Sequence, residues 1–321
     1  MIKSLKSNKF IIIFLFAVCF IFILNPSTYA NSCLNALSVW AFKVLPMLFP
    51  FFVFTRLIVS LVDTNNNPLD KFFSNVYNTP KGSFLIFFLS ILSGYPMGAK
   101  LISALVLDNK INNDDAKKLF SICSVSGPMF IIGTVGIGIF NNYKVGVIIL
   151  ICNIIACLIN GFLFSRNKPI THAVYSCKTK TTSLSDCVYD SLISILIVGS
   201  YIVLSFLFVD LIKNLTLLQN FISTICSVFP IEHLDNIVNA IISCVFEITR
   251  GAIDISASSL SLQAKTIITS SSIAFGGVSI LLQSMSFLKC SNIDTKTFLK
   301  MKISQALICL LVSVPIVLIF L

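Results

Sequence analysis

Charged side chains inside long apolar runs are the residues here whose type and position imply chemistry. Glu247, Arg250 and Asp254 stand in the apolar stretch Ile237 to Leu262, and Lys100 stands in the stretch Ser83 to Leu107. A charge at the centre of a bilayer costs about 2.5 to 3.5 kcal/mol on insertion scales, so each needs a partner or a task. Spacings of three and four put Glu247, Arg250 and Asp254 on one helical face if the helix continues through Gly251. If it breaks there, Glu247 and Arg250 flank the break. A carboxylate so placed can couple to a proton or a cation, and Lys100 and Arg250 would draw an anionic group. The alternative is an internal ion pair, Arg250 with Glu247 or Asp254, that only orders the chain. Lys100 and Arg56 have stems long enough to snorkel to the interface, and Lys43 reads as packing or interfacial.

The surroundings of these charges define the solvent. The 321 residues are 56% hydrophobic and 11% charged, with mean hydropathy +0.95, whereas soluble domains carry about 25% charged residues. Lipid must cover such a surface, and lipid admits only helices or closed barrels, because unpaired backbone groups are costly there. The long apolar runs select helices. A net charge of +10 would suggest nucleic acid in a soluble chain. Here the bases sit in short loops between apolar segments, where they set orientation, and no nucleic acid is expected. The eleven cysteines are scattered without a C-x-x-C pair and read as small hydrophobes. With His172 and His233 alone and no H-E-x-x-H motif, no metal site or other cofactor is expected. No nucleophile set, Walker loop or dinucleotide fingerprint marks the chain as an enzyme. An intramembrane enzyme using Glu247 or Asp254 as acid or base is the least favoured reading.

The elements that must hold the charges follow from the apolar runs. Phe10 to Leu24 follows Lys3, Lys6 and Lys9, and Thr28-Tyr29-Ala30 resembles a signal-peptidase site. A retained first span is the preferred reading, and either reading leaves Asn31 outside. Further runs are Leu34 to Val62, Ser83 to Leu107, Leu119 to Phe140, Val145 to Phe164, Val188 to Ile212, Ile237 to Leu262, Thr266 to Leu288 and Ile303 to Leu321. Gly94-Tyr95-Pro96 interrupts Ser83 to Leu107 and leaves arms that each rise roughly 16 Å, about half the core, which suits a re-entrant hairpin. Gly98 and Lys100 lie on its second arm. Ile237 to Leu262 repeats the pattern around Arg250-Gly251. The next run in each half is broken too, by Ser126-Gly127-Pro128 and by Gly276-Gly277, with Gln283 and Ser270-Ser271-Ser272 flanking the latter. The small hydroxyls read as close helix packing.

Leu34 to Phe164 and Val188 to Leu321 span 131 and 134 residues and follow one order: span, hairpin, broken span, span. Three crossings per unit make two tandem units inverted, an arrangement common in secondary transporters. The expected organisation is therefore an N-terminal transmembrane helix over 1–30, repeat 1 over 31–165, a basic cytoplasmic linker over 166–187 and an inverted repeat 2 over 188–321. The fold class is an all-α polytopic membrane protein. In this topology, with the N-terminus cytoplasmic, sixteen Lys and Arg fall inside and two, Lys144 and Lys213, outside. The inside set includes Lys118 and Lys302. Leu215 to Phe229 is placed in the outer interface.

The stretches VLPMLFPFF (Val44 to Phe52), LSGYPMGAKL (Leu92 to Leu101), SGPMFIIGTVGIGIF (Ser126 to Phe140), FEITRG (Phe246 to Gly251) and AFGGVSILLQ (Ala274 to Gln283) cover nearly the whole chain in order. Together they resemble the sporulation integral membrane protein family of endospore-forming Firmicutes, within the wider group with nucleoside-recognition, or gate, domains. The resemblance implies a multi-pass protein of the bacterial cell membrane, made in the sporulating cell and needed for spore formation or cortex assembly.

The expected activity is movement of a small polar or anionic solute. Its pathway would be built from Gly94, Pro96, Gly98, Lys100, Gly127, Pro128, Glu247, Arg250, Gly251, Asp254, Gly276, Gly277 and Gln283. The expected partners are the lipid bilayer, that solute, and a second copy or another sporulation membrane protein. The alternative is a non-transporting membrane scaffold in spore morphogenesis, in which the loop over 166–187 would matter more than the membrane charges.

Overall fold

The computed structural model describes residues 3–61, 68–165, 183–229, 233–288 and 293–321. Most of the basic linker, 166–182, therefore lies outside the described residues. The chain forms α1 (Lys3–Leu24), α2 (Pro26–Val39), a π-helical turn (Trp40–Val44), α3 (Leu45–Leu61), α4 (Pro68–Tyr77), α5 (Ser83–Ser93), α6 (Met97–Leu107) and α7 (Asn113–Cys123). A π-helical segment (Met129–Ile137) leads to α8 (Tyr143–Ser165), α9 (Leu184–Lys213), α10 (Thr216–Val228), α11 (Leu234–Phe246), α12 (Ile248–Ala257), α13 (Leu262–Phe275), α14 (Gly277–Leu288) and α15 (Thr295–Phe320). Among the described residues there is no strand.

Five stretches are long and apolar enough to cross a membrane: Pro26–Ile58, Tyr143–Ser165, Leu184–Lys213, Leu262–Leu288 and Thr295–Phe320. The 23 residues of α8 rise about 34 Å against a hydrocarbon core of about 30 Å. Apolar side chains face outward and polar ones inward, the reverse of a soluble protein. Phe42, Leu311 and Ile23 are 81%, 73% and 72% exposed, while Asn153, Ser243, Ser270 and Gln305 are buried. Lipid removes the cost of the first set, and packing between helices satisfies the second. Asn153 Nδ2, for example, donates from α8 to the Ser270 carbonyl of α13 at 3.2 Å. Ser271 Oγ donates to the Ala306 carbonyl of α15 at 2.9 Å.

Proline shapes the first long span. The π-helical turn Trp40–Val44 comes immediately before Leu45 and Pro46, and a wider turn relieves the clash of a proline ring with the carbonyl four residues back. Thr134 Oγ1, in the second π-helical segment, donates to the Lys43 carbonyl in the first at 2.9 Å.

Packing follows a matched order in the two halves. α3 packs on α5 as α9 packs on α11, α6 on α7 as α12 on α13, and the second π-helical segment on α3 as α14 on α9. α8 lies against α7 and α15 against α13, and the halves meet along α8 with α15 and α3 with α9. The α3/α9 seam is apolar, with Leu48, Phe52, Ile195, Val198, Ile202 and Phe206 buried together. Trp40 closes it by donating Nε1–H to the Ile195 carbonyl at 3.2 Å.

The ends of the short helices are tied pairwise. Lys118 Nζ, midway along α7, donates to the Asn78 carbonyl ahead of α5 at 2.9 Å, so the chain before α5 lies beside the helix that follows α6. Asp70 caps α5 by accepting from the Gly82 and Phe84 amides at 2.7 and 3.0 Å. At another position, His233 ahead of α11, Lys213 at the end of α9 and Ser258 after α12 line one open cleft.

Two sequence expectations change. The second hairpin does not break at Arg250-Gly251. α12 runs through both, and the interruption falls at Glu247, which is extended (φ −144°, ψ 120°). Lys118 and Lys302, expected in cytoplasmic loops, are each 1% exposed inside the bundle.

Candidate functional site

Four interruptions build the site from short-range causes. Gly94 ends α5 with φ +69°, a conformation open to glycine, and is followed by the cis peptide Tyr95–Pro96. The stretch 124–127 is unwound ahead of Pro128. Gly276 and Gly277 take φ +89° and +67° between α13 and α14. Glu247 needs no glycine: its carboxylate accepts the Arg250 amide at 2.6 Å and starts α12 afresh as an N-cap.

The first two interruptions touch. A Cβ on Gly94 would sit 2.2 Å from the Gly127 amide nitrogen. The third meets the fourth: a Cβ on Gly277 would lie 3.2 Å from the Phe246 carbonyl, one residue before Glu247. Between these pairs lies a cavity of about 40 Å³, walled by Gly94, Tyr95, Gly127, Glu247, Thr249 and Gln283 with apolar side chains of α3 and α9. That volume holds about three water molecules. Ser93 Oγ, on the same wall, is buried and makes no hydrogen bond within the protein. Glu247 is 2% exposed and Gln283 3%. The arrangement offers a carboxylate, an amide, a hydroxyl and unwound backbone to a small polar guest.

The other expected site residues have different places. Arg250 points away from the cavity, pairing with Asp254 at 3.2 Å and Asp210 at 3.5 Å. Its guanidinium carbon stands 5.3 Å from the centre of the Phe206 ring. Asp254 also accepts from Lys213 at 2.7 Å and from Ser243 at 2.6 Å, and it walls the open cleft, whose volume is about 520 Å³. Gly98 and Gly251 serve close approach, since a Cβ on either would come within 2.5 Å of Cys123 O and Cys244 Cα respectively. Pro96 and Pro128 start the helical segments after their breaks and do not wall the cavity. Lys100 is half-buried, within electrostatic range of Arg56 and Asp190, and also stands apart from the cavity wall. Arg56 does not simply snorkel: it pairs with Asp190 and donates to Ser194 Oγ at 2.9 Å.

Sequence reasoning missed Lys302. Its ammonium, in α15, donates to Tyr95 Oη, to Gln305 Oε1 at 2.9 Å and to the Ser124 carbonyl at 3.3 Å. Tyr95 walls the cavity and donates to the same carbonyl at 2.7 Å. The available signal was helical spacing: Lys302, Gln305, Cys309 and Ser313 recur on one buried face of α15.

Comparison with known proteins bears on this architecture. The chain is 27% identical over 310 residues, 88% of its length and 76% of the relative's, to the sporulation integral membrane protein YlbJ of Bacillus subtilis (strain 168). The resemblance to the sporulation integral membrane proteins holds. No family model and no solved structure matches the chain. The YlbJ relationship spans most of both chains, and with the apolar spans it makes this an integral membrane protein.

Proposed function

We propose that the chain is a sporulation-associated membrane transporter that moves a small polar or anionic solute between two inverted halves, rather than an enzyme. The observation that carries this reading is the convergence of the interruptions at Gly94, Ser126–Gly127 and Glu247 on one cavity that holds Glu247, Gln283 and the unsatisfied Ser93 hydroxyl, with the Gly276–Gly277 break packed behind it against the Phe246 carbonyl. Irregular backbone deep in a membrane is tolerated where it lines a cavity, and broken helices from paired repeats form such sites in transporters. The matched packing of α3 on α5 and α9 on α11 supports the repeat. The Lys118–Asn78 tie supports α5 and α6 as a re-entrant hairpin.

The cleft and the cavity lie at the two ends of α12, Asp254 walling the first and Glu247 the second. Arg250 stands between them, held by Asp254 and Asp210. We read this ion cluster as the barrier that separates an outer vestibule from the solute site, with the N-terminus of the chain cytoplasmic. Its release is the step that opens the site to that side.

Glu247→Gln and Arg250→Ala, introduced in the parent organism, test the reading. Both variants are expected at normal membrane abundance with a loss of heat-resistant spores. Normal spores from both would overturn it, and spores lost only when the 166–187 linker is scrambled would favour the scaffold. Purified protein gives a second test. A transported solute at about 100 times its Kd stabilises the protein by about 2.7 kcal/mol, which a thermal-shift screen of polar and anionic metabolites detects.

A further inference from the structure

Lys302 is the buried cation that the solute site leaves unexplained. It is 1% exposed, and among the described residues no carboxylate forms an ion pair with it. Its three acceptors are all oxygens from different places: the phenol of Tyr95 in the α5–α6 turn, the Ser124 carbonyl that ends α7, and Gln305 one turn along α15. The Tyr95 ring also presents a face to the ammonium, 4.8 Å from its centre. The titratable groups facing Lys302 are Tyr95, Cys157 of α8 and Cys309 of α15. At the α13–α14 break, a Cβ on Gly276 would lie 3.8 Å from Lys302 Cε. Oxygen ligands, a helix C-terminal end and an aromatic face are what a small monovalent cation would find here.

Resting on the transport reading, we infer that this oxygen cluster is the coupling-ion site of the protein, filled by the tethered ammonium of Lys302, so that the ion taken up and released is a proton. The protonated amine ties α15, in the second half, to both interruptions of the first half. Loss of one proton converts the ammonium to an amine. The proton leaves to water in the cavity that Tyr95 walls, while the phenol keeps its own O–H on the Ser124 carbonyl and is unchanged. The neutral amine keeps two donors in place of three and loses the charge that strengthens each bond. The tie between the halves slackens, and the interruptions at 94–97 and 124–127 become free to move.

Hydrogen–deuterium exchange on the full-length purified protein reads this without any solute. Amides of 94–97 and 124–127 are followed from about pH 5 to about pH 10 and corrected for intrinsic exchange. Wild type is expected to lose protection about tenfold or more through a single one-proton step. Lys302→Arg is expected to stay protected throughout and Lys302→Met to exchange fast throughout. Absence of a step in wild type overturns the inference, as does the same step in Lys302→Arg, so the result stands even if Lys302→Met fails to fold. Exchanging K⁺ for Na⁺ leaves wild type unmoved, and Na⁺-dependent protection of these amides would overturn the assignment of the ion as a proton. A proton step in a protein that carries nothing across vesicles would leave this site standing and remove the transport reading. Solute movement with breaks indifferent to pH would do the reverse.

Discussion

Glu247 does two things with one carboxylate: it walls the cavity and it caps α12 through the Arg250 amide at 2.6 Å. Glutamine keeps an acceptor oxygen there, so Glu247→Gln is expected to cost at most about 1 kcal/mol of stability, while Glu247→Leu loses the cap and melts earlier. Thermal unfolding of the two variants separates the roles. Lys118 and Asp115 form a different kind of buried pair, at 3.3 Å with side chains 1% and 0% exposed. Lys118→Met is expected to destabilise by about 3 kcal/mol, because it withdraws the cation and leaves the buried carboxylate. Adding Asp115→Asn should recover part of that loss in the same measurement. Neither this pair nor Lys302 was legible as buried. Lys117 and Lys118, and Lys296, Lys300 and Lys302, sit among other bases next to polar turns, and a one-dimensional reading assigns such clusters to loops. Burial there depends on which helix face meets the bundle, and composition alone does not report that.

At the scale of elements, the glycine and proline interruptions were legible because the residues that break helices are few and their reasons are local. Gly94→Ala meets both constraints at once, a positive φ and a backbone neighbour 2.2 Å from the new Cβ. It is expected to lower the melting temperature sharply, whereas alanine at an exposed helical site would not. The break at Glu247 was misplaced by three residues for an equally local reason. An acidic N-cap can end one helix and begin the next without glycine, and Gly251, which attracted the assignment, is small because Cys244 packs against it. Asp70 shows the same capping logic at α5. Asp70→Ala leaves the Gly82 and Phe84 amides without their acceptor and is expected to cost about 1 to 2 kcal/mol in thermal unfolding.

For the whole molecule, the all-helical membrane character followed from composition, while the two-repeat reading rests on the order of runs and breaks. The packing of α8 with α15 and α3 with α9 was beyond a sequence reading, because it depends on three-dimensional facing rather than on spacing. Topology supplies the global prediction. Single cysteines at Lys81 and Asn109, in a background lacking accessible thiols, should be labelled by an impermeant reagent from the same side, and one at Leu215 from the opposite side. Labelling of Lys81 and Asn109 from opposite sides would remove the re-entrant reading of α5 and α6.

The size of the central void has a consequence for the cell. On the transport reading, a void with room for about three waters is too small to seat a metabolite, so its walls must part before a solute is carried. The traffic such a protein supports would then be set by how often that widening occurs.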